Sequence, residues 1–122
     1  MSVKLLDAPP VELGRDYAVL QGIRLFNEER FWECHEILET VWHKSRGAER
    51  DLIQGLILTA AGFVHYQKDE QDTCLSILAR ARAKLSGGER LDPLDVSRLI
   101  MRLDRILTSH RVRLFKLQTN RN

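Results

Sequence analysis

Residues 48–68, AERDLIQGLILTAAGFVHYQK, decide the fold. Leu52, Ile53, Leu56, Ile57, Leu58, Ala60, Ala61, Phe63 and Val64 would cover nearly the whole circumference of a helix, and a helix apolar all round belongs at a buried centre. Within it, Leu52 to Gln67 are free of Asp, Glu, Lys and Arg for sixteen residues, short of the roughly 20 that a membrane span needs. Gly55 and Gly62 are seven apart and fall on nearly one face, where the lack of a side chain would let a neighbouring helix approach closely.

Outward from this centre the chain reads as helices joined by short turns. Ser45-Arg46-Gly47 predicts a turn, with Gly47 supplying a positive φ. Before it, helices are expected over about Glu12 to Asn27 and Glu29 to Lys44, after an irregular lead at 1–11. After it, a fourth helix is expected over about Asp69 to Leu85, closing at Ser86-Gly87-Gly88. Asp92-Pro93 reads as a cap followed by a first-turn proline, opening a fifth helix that Val96, Leu99, Ile100, Leu103, Ile106 and Leu107 carry to about Lys116. Residues 117–122 read as a frayed tail. The three prolines, Pro9, Pro10 and Pro93, leave the long interval between them free for helices, and no stretch alternates as a strand would. The fold class is therefore all-α, an up-and-down bundle of four to five helices in one domain. A Cys-x-x-x-Leu likeness links helices two and four, but it is too faint to define a repeat.

Composition agrees: 122 residues, 43% hydrophobic and 30% charged, describe one globular domain. A chain of this length buries roughly two-thirds of its unfolded surface, so Cys34 and Cys74 have no stapling role. Two cysteines and no long apolar leader segment lead us to expect a reducing cytoplasm, and no membrane partner. The net charge of +2 hides a polarity, with 12 basic against 16 acidic residues over 1–97 and 7 against 1 over 98–122. A basic tail can bind nucleic acid. With only Phe115 as an interleaved aromatic, the expected alternative is a tail that lies against the chain's own acidic helices.

The densest polar chemistry lies on helix two. His35 and Glu39 are four apart and project from one face, with Phe31, Leu38 and Trp42 beside them. Polar groups among bulky apolar ones require partners, and helix three offers Arg50, Gln54 and His65. In a tight hairpin about residues 45–47, positions summing to about 93 lie level. That places Glu39 beside Gln54, with Arg50 in reach of Glu39, and sets His65 about 10 Å along the axis from His35 at the helical rise. The expected network is thus Glu39, Gln54 and Arg50 with His35 adjoining, while His65 caps the far end near Asn27. His35-Glu36-x-x-Glu39 approaches a zinc-protease motif, but that motif has a second histidine where this chain has Glu39. Zinc would need a third ligand from Gln54, Cys34 or His65. Cys34 faces about 100° away from His35 on a helix, against a Cys/His nucleophile. Cys74 is expected in the core, His43 and His110 in solvent, and Trp32 on an exposed or interface face. No phosphate loop, Ser/His/Asp set or dinucleotide fingerprint occurs.

Phe26-Asn27, Phe31, Glu33, His35-Glu36, Leu38-Glu39 and Trp42, then Arg50, Gln54-Gly55-Leu56-Ile57, Ala60-Ala61 and His65, resemble the domain of unknown function family three hundred and nine. The resemblance covers roughly residues 16 to 85. Cys34 stands where that family commonly has a small residue, and Leu58 where it commonly has glutamine. The resemblance implies an all-helical bundle, and it carries the label of metal-dependent hydrolase, resting on the same histidine and glutamates.

Three functions follow as expectations. The first is a structural or interaction protein with no cofactor, in which the polar cluster fixes packing and an outer face forms a homo-oligomer. The second is a hydrolase with a divalent metal on His35 and Glu39 and with Glu36 as a further catalytic candidate. Trp42, Arg50, Gln54 and His65 are its candidate binding residues. The third, least favoured, is a nucleic-acid binder using Arg98, Arg102, Arg105, Arg113 and Lys116.

Overall fold

A computed structural model describes residues 14–120 of the chain. Its elements are α1 (Arg15–Asn27), α2 (Phe31–Trp42), α3 (Gly47–Gln67), α4 (Gln71–Leu85) and α5 (Val96–Ser109). Each packs chiefly on its neighbour in the chain, α1 on α2, α2 on α3, α3 on α4 and α4 on α5. The described residues form no strand, only isolated bridges from Leu94 to Leu91 and to Thr119. The irregular lead at 1–11, the start of helix one at Glu12 and residues 121–122 lie outside the described residues.

The α1–α2 and α3–α4 connections are the same turn, forty positions apart. Glu29 (φ 62°) and Asp69 (φ 61°) both take the left-handed conformation. Around the first, the N–H of Arg30 donates to Leu25 O and that of Glu29 to Phe26 O; around the second, Glu70 donates to His65 O and Asp69 to Tyr66 O. This 6→1 and 5→2 pairing satisfies carbonyls that a helix end leaves open. The correspondence continues into the packing. Cys34 and Cys74 are both fully buried, and Gly22 faces Leu38 as Gly62 faces Leu78. The faint Cys-x-x-x-Leu likeness is therefore the trace of a helical hairpin used twice.

α3 is the buried centre the sequence predicts, and its glycines work as expected. A Cβ on Gly55 would stand 2.7 Å from Leu85 Cγ and 3.2 Å from Ala81 O, so α4 lies against bare backbone there. Phe26, Phe31 and Phe63 are almost wholly buried and meet at centroid distances of 4.9–5.6 Å. Phe115 joins them 5.5 Å from Phe26 and 5.4 Å from Phe63.

The largest differences from the sequence reading lie around α5. α5 begins at Val96, capped by Asp95, whose Oδ1 accepts the Arg98 N–H at 3.1 Å; Asp92-Pro93 is a cis peptide in the preceding turn. α5 also ends at Ser109 rather than near Lys116. His110 turns left-handed (φ 58°), and the chain reverses into an irregular strap that returns to the start of α5. There Asp95 N–H donates to Gln118 O and Asn120 N–H to Pro93 O. The strap is not frayed at 117–120. Its Val112 and Leu117 are buried, and Asn27 clamps Leu117 by donating Nδ2 to its carbonyl (3.0 Å) and accepting its N–H on Oδ1 (2.7 Å). Among the described residues, no helix is long and apolar enough to cross a membrane.

Candidate functional site

α2 puts Phe31, Cys34, Ile37, Leu38 and Val41 into the core. His35, Glu36, Glu39 and Trp42 are half-buried beside that arc, and Trp32 and His43 are exposed, as helical spacing dictates. Trp32 is 59% exposed, the most exposed large hydrophobic residue described. It is nonetheless held, because its ring stacks on His35 with centroids 5.2 Å apart and planes 13° apart. The imidazole Nε2 lies 3.6 Å from Glu39 Oε2. At the start of the helix, Arg30 donates Nη2 to Glu33 Oε2 at 2.8 Å, and this bond holds the Glu33 carboxyl below its usual range.

The far end of the face belongs to Trp42. Arg50 from α3 sits over its ring, the guanidinium carbon 3.9 Å from the centroid, a cation–π contact. The same guanidinium donates to Ser45 O at 3.4 Å. His35 Nδ1 and Trp42 Nε1 are buried without a hydrogen-bond partner among the described residues. Buried polar atoms left so are few in folded proteins and cost about 1–3 kcal/mol each.

The network expected from the hairpin register does not form. Arg50 turns onto Trp42 instead of Glu39, because the ring face and the Ser45 carbonyl lie at its own end of the hairpin. Among the described residues Glu39 keeps only His35 as its partner, and its side chain is 46% exposed. Gln54 and Glu36 are half-buried and enter none of these contacts. His65 does not cap Asn27. Its Nδ1 pairs with Glu70 Oε1 at 2.5 Å across the α3–α4 turn, while Asn27 holds the strap. Sequence reasoning missed this role of Asn27, whose only sequence signal was its place beside Phe26 at a helix end.

These positions bear on metal chemistry. Cys34 is fully buried and desolvation pushes its thiol up to about 12, so it offers neither a ligand nor a nucleophile beside His35. Cys74, likewise in the core, is pushed up to about 11 by burial. No group of three or more His, Cys, Asp or Glu that could hold a metal ion occurs among the described residues. His35 and Glu39 thus supply two donors where a catalytic zinc takes three. The donor set does not fit the group.

The family profile of the domain of unknown function DUF309 matches residues 19–77. The chain carries a DUF309 domain. It runs from Val19 in α1 to Ile77 in α4, so it holds the whole α2 face, Arg50, Gln54 and His65, and it excludes α5 and the strap. No curated protein matches the chain.

Proposed function

We propose that the protein is a helical interaction module whose outer α2 face docks a second copy of the chain. The observation that carries this reading is Trp32, a large aromatic side chain mostly in solvent and stacked on the His35 ring. Tryptophan is among the residues that dominate binding hot spots, and a ring already stacked on a neighbour loses less side-chain entropy on contact. Charge along the same face supports a copy of the chain as partner. The N-terminal half of α2 carries Glu36 and a Glu33 already paired with Arg30, and its C-terminal end leads into His43 and the exposed Arg46. Two α2 helices packed antiparallel about a two-fold axis would bring each acidic half against the other's basic end.

Sedimentation velocity over a range of concentrations tests this. The wild type is expected to sediment as a dimer at high concentration, and Trp32→Ala as a monomer with an unchanged melting temperature. A wild type that stays monomeric, or a variant that dimerises equally well, would overturn the reading.

A further inference from the structure

The reversal at His110 folds the strap back beside the last turns of α5 and encloses a cleft of about 510 Å³. Arg102 and Arg105 reach it from α5, and Arg111 and Arg113 from the strap; Ile106 and Phe115 give it an apolar wall. Among the described residues, no carboxylate lines it. The acid on this stretch of α5, Asp104, is committed to Arg82 of α4 at 2.7 Å. None of the four guanidinium groups has a hydrogen bond or ion pair among the described residues. Four unpaired cations around one cleft repel one another and focus a positive field into it.

The neighbouring basic groups behave differently. Arg98 lies 3.7 Å from Asp95, and Lys116 Nζ donates to Asn27 O at 2.8 Å. The charge is therefore not an open track along α5, as a nucleic-acid backbone would require, but is concentrated in a concavity. Guanidinium forks match phosphate oxygens two at a time, and the volume lies in the range of small-molecule sites. Phe115, pinned between Phe26 and Phe63, is a fixed apolar surface for the rest of a ligand.

We propose that this cleft binds a compact organic polyphosphate, with two or more phosphate groups held by Arg102, Arg105, Arg111 and Arg113 and the organic body against Ile106 and Phe115. The site is independent of the α2 face and lies outside the DUF309 domain.

Isothermal titration of the full chain with adenosine triphosphate, inorganic tripolyphosphate and a mixed-sequence single-stranded 20-mer DNA tests it. Both polyphosphates are expected to bind. Arg105→Ala/Arg113→Ala should weaken them at least about tenfold, as the loss of two bidentate contacts requires, whereas Arg98→Ala should leave them within about twofold. Arg102→Gln/Arg111→Gln must weaken binding in the same way, and melting curves confirm that each variant folds. The proposal fails if neither polyphosphate binds at millimolar concentration, or if folded double variants bind like the wild type. It also fails if the DNA binds and tripolyphosphate does not displace it, which would show an extended track.

Discussion

At Glu39, truncation is expected to cost little. The carboxylate is nearly half exposed and its one partner among the described residues is a histidine nitrogen 3.6 Å away, and such exposed pairs contribute about 0–1 kcal/mol. Glu39→Ala should therefore unfold in urea within about 0.5 kcal/mol of the wild type. A loss of about 2 kcal/mol would instead place Glu39 in a buried network with Arg50 or Gln54. The residue types of the candidate site were legible in the sequence, since His35, Glu39, Trp42 and Arg50 do gather along one side of α2 and the start of α3. Their pairing was not. Register arithmetic places backbones level but does not say that a guanidinium will prefer a ring face and a carbonyl one turn away to a carboxylate. It also gave no sign that His65 would find Glu70 beyond the turn, because that contact depends on the left-handed Asp69 bringing the two ends together.

Among the elements, the seam between α3 and α4 is the tightest. Gly55 has no room for a methyl group, with Leu85 Cγ and Cδ2 each 2.7 Å from where its Cβ would stand and the Ala81 carbonyl behind them. Leu85 is itself fully buried and has nowhere to retreat. Gly55→Ala should thus destabilise by about 1–3 kcal/mol although alanine is the better helix former. A lower midpoint in chemical denaturation is the expected reading, and an equal or higher one would mean that α4 lies farther off. The helices were legible because apolar spacing and proline placement both pointed the same way. The end of α5 was not. Arg111, Arg113 and Lys116 continue a plausible helical face, and the stop comes from a left-handed His110, a conformation that non-glycine residues adopt without an obvious sequence mark. What fixes the strap is tertiary, the Asn27 side chain some ninety positions away. The repeated hairpin was faint for the opposite reason, since backbone geometry at Glu29 and Asp69 recurs where side chains have diverged.

Among the described residues as a whole, the polarity of charge visible in the sequence is only partly neutralised internally. The basic tail is expected against the chain's own acidic helices; α5 meets α4 through Arg82 and Asp104, and the strap meets the end of α1 through Lys116. Among the described residues, no ion pair joins the stretch from Arg98 to Asn120 to α2. The α5 cleft therefore keeps its positive charge, and α2 keeps Glu36 and the exposed Trp32 on its outer side. If α2 is the docking face, Trp32 must become covered as copies associate while Trp42, under Arg50, is shielded at every concentration. Acrylamide quenching of tryptophan fluorescence reads this directly, with Trp32→Ala isolating the Trp42 signal. The expected result is wild-type quenching that falls as protein concentration rises, and a concentration-independent signal in the variant. Wild-type quenching that stays high and constant across the range would contradict the docking of a second copy on α2.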